Sequence, residues 1–137
     1  GTVQFRLTAT SGTRLVIQSI YAKGTSLASS RIVTIEHLDE NHERVLYLAG
    51  DSTFSSGGYF NYPAAGSNAS NSGNFPRQND IILANNDYIR IIMYSAAQNE
   101  GFEKIQFRAF IKGKQPSIQS SGSGGSVSIS TNANIIV

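Results

Sequence analysis

The chain has no cysteine, no tryptophan and only three prolines, and its charged residues make up 15% of 137, well under the usual quarter or so. Without cysteine, disulfides, thiolate chemistry and Cys-ligated zinc are excluded. No apolar run approaches the roughly 20 residues of a membrane helix, so no membrane partner is expected. The net charge of +2 is too small to argue for nucleic acid, which calls for a concentrated basic stripe. The chain opens at Gly1 on a strand pattern rather than on a basic and apolar leader, so no signal peptide is expected. The missing initiating Met suggests processing, trimming or excision from something longer.

Ser, Asn and Gly fill the space that charges leave, as suits a loop-rich β protein. At this length one domain with one real core is expected. Residues 81–113 carry the clearest signal, three β-type runs with turn residues between them. In the last run Ile105, Phe107, Ala109 and Ile111 alternate with Lys104, Gln106, Arg108, Phe110 and Lys112, a period of two that separates the faces of a strand. Asn85-Asn86 tolerate positive φ and predict a tight hairpin between 81–83 and 88–93.

Upstream, Val3, Phe5, Leu7 and Ala9 alternate with Gln4, Arg6 and Thr8. Residues 14–22 carry apolar side chains on both nominal faces, Leu15, Ile17 and Tyr21 against Val16 and Ile20, which predicts a doubly covered central strand. Residues 31–38 and 44–49, joined by Asp39-Glu40-Asn41-His42, predict a hairpin. Between 52 and 76 there is no charge, and the cluster Tyr59, Phe60 and Tyr62 leads into an exposed Asn/Ser/Gly loop. That cluster belongs either to the core or to a partner surface.

From 115 onward the chain is uncharged. Residues 120–126 have linker composition, and Val127, Ile129, Ile135, Ile136 and Val137 make an apolar end on a Gly/Ser tether. Such an end folds back onto its own sheet, adds to a neighbour's, or stays disordered. The expected fold is all-β: an antiparallel β-sandwich of jelly-roll type with about eight strands. It divides into a domain at 1–118 and a linker plus C-terminal arm or strand at 119–137.

No residue constellation argues for catalysis, and no cofactor is expected. The run Leu48-Ala49-Gly50-Asp51-Ser52 is similar to the nucleophile block of GDS-type esterases, and Asp39-Glu40-Asn41-His42 spells D-x-x-H. The order is wrong for that family, and its G-x-N-D block is missing, because Gln78-Asn79-Asp80 lacks the glycine. Gly50-Asp51-Ser52 reads more simply as a turn. His37, in phase with Val33 and Ile35, reads as a partly buried strand residue with a hydrogen-bonded ring. His42 with Glu40 and Glu43 falls short of a metal-ligand spacing. Arg90, Lys104, Arg108, Lys112 and Lys114 could face an acidic partner, or simply occupy outward positions that guard sheet edges.

The block at 81–113 resembles the C-terminal strands of small jelly-roll decoration (cement) proteins of tailed bacteriophages. Ile82-Leu83 precede Asn86-Asp87, Ile89-Arg90 follow, Ala96-Ala97 lie near the loop, and Glu103-Lys104-Ile105, Arg108-Ala109 and Gly113 complete the pattern. The resemblance implies a structural virion protein on the capsid surface, soluble before assembly, that binds adjacent major capsid subunits. It also implies a homo-oligomer, a trimer before a dimer. Contacts would come from Val127, Ile129, Ile135, Ile136 and Val137 as an exchanged strand, and from Tyr59, Phe60 and Tyr62. The rival is a carbohydrate- or receptor-binding jelly roll such as a tail-fibre tip, gripping sugar with Tyr59, Tyr62 and the Asn/Ser loop.

Overall fold

The computed structural model describes residues 1–63, 73–74, 80–121 and 128–135, with 49–51, 73–74 and 128–135 followed as backbone. The strands are β1 (Val3–Thr8), β2 (Thr13–Gly24), β3 (Arg31–Leu38), β4 (Arg44–Phe54), β5 (Tyr59–Tyr62), β6 (Gly73–Asn74), β7 (Ile81–Ala84), β8 (Tyr88–Met93), β9 (Phe102–Gly113), β10 (Ser117–Ser121) and β11 (Ser128–Ile135). They form two sheets. The first runs β10-β1-β8-β3-β4-β6, and the second β11-β9-β2-β5, with β7 beside β5 on the same edge of β2.

The pairing is nested. β1 lies antiparallel to β10, β2 to β9 and β3 to β8, alternating between the sheets. This is the rolled-up hairpin of a jelly roll. Eleven strands appear among the described residues where about eight were expected, partly because the uncharged C-terminal stretch supplies two. β10 runs on to Ser121, held by Gln4 through Thr8 of β1, so the boundary expected after residue 118 falls inside a strand.

Alternation builds the interior. Val3, Phe5 and Leu7 of β1 and Ile105, Phe107, Ala109 and Ile111 of β9 are buried, and the residues between them reach toward solvent. Phe5 stacks on Phe107 with ring centres 5.9 Å apart, and Phe54 meets Phe102 edge-on at 6.5 Å. Burying such side chains supplies the main favourable term in folding.

Three local expectations are corrected. β2 is central, between β9 and the pair β5 and β7, but only one of its faces is buried. Its register with β9 shifts between Ile17 and Ser19, and this bulge reverses the phase. Leu15, Ile17, Ile20 and Ala22 all point inward, while Val16 and Tyr21 share the outer face. Asn85 and Asn86 do take φ of 53° and 70°, and Asp87 N–H closes the turn on Ala84 at 3.0 Å. Yet β7 pairs with β2 and β8 with β1 and β3, so the turn is a corner between sheets and not a hairpin. Gly50-Asp51-Ser52 is no turn either, because β4 continues through it against β3 and β6, with its register against β3 shifting between Ala49 and Ser52.

The hairpin of β3 and β4 matches the sequence expectation. Asp39 Oδ1 accepts from the N–H groups of Asn41 (2.9 Å) and Glu43 (3.0 Å), and His42 takes the positive φ of 63° that the turn requires.

Candidate functional site

β5 alternates like any half-buried strand, so the cluster expected to touch partners is split. Phe60 and Tyr62 are 1% and 3% exposed and belong to the core, which removes them as surface contacts. Tyr59 is half-buried on the outer face and tilts against Tyr21, with ring centres 6.1 Å apart.

The C-terminal strand lies on its own sheet. β11 pairs with β9 in parallel, with Ile129 opposite Ile105 and Ile135 opposite Ile111. Every other described pairing in the molecule is antiparallel. In the single chain the arm is folded back onto β9. Val127, Ile136 and Val137 lie outside the described residues, as does most of the Asn/Ser loop after Tyr62.

The esterase-like elements do not converge. Ser52 is completely buried opposite Val33, with its hydroxyl lacking a hydrogen-bond partner. His42 Nδ1 lies 2.9 Å from the Tyr88 hydroxyl. His37 is buried at the end of the interior, its Nε2 3.8 Å from Asp87 Oδ2. Among the described residues no three His, Asp or Glu gather as a metal site.

Two buried carboxylates are structural. Glu36 in β3 lies directly across from Arg90 in β8 and is bonded by its guanidinium, with Arg44 Nε at 3.9 Å. Arg90 is thereby committed to an ion pair on the first sheet. Glu100, between β8 and β9, accepts from Arg31 Nε (2.7 Å), Ala28 N–H (2.8 Å) and Ala97 N–H (2.9 Å). These donors, Arg31 foremost, hold its pKa down from 4.5 to about 2 against the opposing effect of burial.

A folded pKa below the unfolded one gives stability that is full above 4.5 and is lost as pH falls toward 2. Urea midpoints measured across that range should therefore fall less steeply in Glu100→Gln than in the parent. Parallel curves would disprove the linkage.

The outer face of the second sheet gathers what the sequence scattered. Counting across β9, β2 and β5, one row is Lys104, Lys23 and Tyr59, and the next is Gln106, Tyr21 and Asn61. Then come Arg108 with Ser19, Phe110 with Val16, and Lys112 with Arg14. Arg14, Lys104, Arg108 and Lys112 are exposed and Lys23 is half-buried. Glu103 reaches Lys23 at 3.3 Å, and among the described residues no other ion pair is made by these five cations. β9 has neighbours on both sides, so edge protection does not account for Lys104, Arg108 or Lys112.

Two shallow depressions, of about 370 and 570 Å³, meet at Tyr21, and their lining includes Lys23, Asn61, Glu103, Lys104, Gln106 and Arg108. Sequence reasoning placed Tyr21 on the wrong face of β2, and the signal it lacked was the bulge at Gln18. No family model matches the chain, and neither a curated protein nor a solved structure does.

Proposed function

We propose that this chain is a structural virion protein that decorates a phage capsid, assembling as a homo-oligomer, a trimer before a dimer, across adjacent major capsid subunits. The observation that supports this reading best is β11. It is an edge strand, joined among the described residues to β9 alone, in parallel, and carried on a segment rich in Gly and Ser. A strand appended in this way can be given to a neighbour without dismantling the nested pairs beneath it, since its ladder is separable from theirs. Repeated over a particle, individually weak strand contacts add up through effective concentration.

The test is deletion of residues 122–137. The shortened protein should unfold cooperatively as a sandwich, sediment as a monomer and fail to pellet with purified capsids, while the full chain sediments as an oligomer and pellets. Unchanged pelleting and sedimentation by the shortened protein would end this reading.

A second reading, a carbohydrate-binding module, is favoured by the tyrosine-bearing outer face of the second sheet, where Tyr21 and Tyr59 lie on β2 and β5, away from the β11 edge.

A further inference from the structure

We infer that the outer face of the second sheet binds an acidic polysaccharide, with cations taking its carboxylate or sulfate groups and Tyr21 and Tyr59 packing against its sugar rings. This rests on reading the chain as a binding module, and is independent of the capsid partner.

The first argument is a local cost with no local return. Lys23 stands directly across from Lys104, and Arg14 directly across from Lys112. Like charges opposed on one face of an antiparallel pair destabilise it. Glu103 relieves only Lys23, at 3.3 Å. Five of the chain's eleven Lys and Arg residues lie on this one face, although the net charge of the whole is only +2. Such a surface concentrates anions.

The second argument is spacing. Lys104, Arg108 and Lys112 recur every fourth residue along β9, about 13 Å apart at a rise of about 3.3 Å per residue. Uncharged rows lie between them, Gln106 with Tyr21 and Asn61, and Phe110 with Val16. A nucleic-acid strand carries a phosphate at every residue and would meet those neutral rows with charge. An acidic polysaccharide sets hydroxyl-rich, uncharged rings between its anionic groups. Its rings present C–H faces to the tyrosines, and its hydroxyls suit the amides of Asn61 and Gln106.

The third argument is shape. The face is open and shallow, with depressions that meet at Tyr21 and carry on past it along β9. An extended polymer lying along the strands fits such a face better than a compact ligand, which favours an enclosed pocket.

The experiment uses the full chain in affinity electrophoresis and calorimetry against polygalacturonate (carboxylate), chondroitin sulfate (sulfate), neutral dextran, poly-dT and poly-glutamate. Binding to polygalacturonate or chondroitin sulfate is expected, with little to dextran, and the preference between the two identifies the anionic group. Lys104→Gln with Arg108→Gln should weaken it at least about tenfold by removing two charge-assisted contacts, and raising salt from about 50 to about 500 mM should weaken the parent. Tyr21→Ser should weaken binding at both salt concentrations. These substitutions lie on the surface, and an unchanged urea midpoint confirms the fold. Equal or tighter binding of poly-dT or poly-glutamate would overturn the assignment, as would no binding to either acidic polysaccharide. Capsid pelleting is read separately, so loss of one activity leaves the other standing.

Discussion

Replacing Phe107 with alanine should lower the unfolding free energy by about 3–5 kcal/mol, the usual cost of emptying an aromatic site in a packed core. Phe107 is fully buried and lies against Phe5 of the opposite sheet with ring centres 5.9 Å apart. It also stands opposite Ile20 within its own sheet. Its removal strips contacts from both layers at once, and the neighbours are strand residues whose backbones are fixed by ladders and cannot slide in to fill the space. Domains of this size have about 5–15 kcal/mol to lose, so the variant would lose a large share of its stability. Equilibrium urea unfolding measures the loss directly. A loss below about 1 kcal/mol would mean that the two layers do not stack at this point.

Gly113→Ala is the other large effect, and it arises from the backbone rather than from the core. Gly113 ends β9 at φ 90°, across from Thr13. A methyl group there would collide with the carbonyl oxygen of Gly12, the same oxygen that accepts from Lys114 N–H at 3.2 Å. The obstacle is main chain at a tight corner, so it cannot rotate away as a side chain would. Gly57→Ala separates the two causes, since Gly57 also has positive φ (69°) but open space around its would-be methyl. That change should cost about 1–2 kcal/mol, the left-handed conformation alone. Gly113→Ala should cost about 3 kcal/mol or more, strain and clash together. Equal losses in the two variants would show that the corner is looser than drawn.

Sequence alone revealed those parts of the fold that depend on neighbours along the chain. The period of two in β1 and β9 named their buried residues correctly, because alternation is a local property of an extended backbone. Asn85-Asn86 revealed the positive-φ turn but not the destination of the strands on either side, since a turn states that the chain reverses and not which strand it next meets. The misphasing of β2 has a similar origin. One extra residue at Gln18 has no composition of its own, and it is visible only as a shift against β9. Gly50-Asp51-Ser52 went the other way, a turn-prone sequence kept within a strand by neighbours on both sides, with a register shift against β3.

The basic face was the least legible feature. Lys104, Arg108 and Lys112 were visible as one stripe, yet their opposite numbers Lys23 and Arg14 lie some eighty to a hundred positions earlier. Cross-strand register between such distant segments is set by the packing of the whole sandwich. The split of Tyr59 from Phe60 and Tyr62, by contrast, follows from alternation on β5 and needed no partner to see.

The nested order of strands also governs when this molecule can form. Gln4 finds its partner at Ser121, and Thr13 finds its own at Gly113. A nascent chain leaving the ribosome can set β5 and β7 against β2 early. β1, however, waits for β8 and β10, and β2 for its long ladder with β9, until most of the sandwich has been synthesised. Pairings so distant make for slow folding, on the scale of milliseconds to seconds. Fragments stopped before residue 102 would leave β2 without its longest mate, sticky and unable to settle.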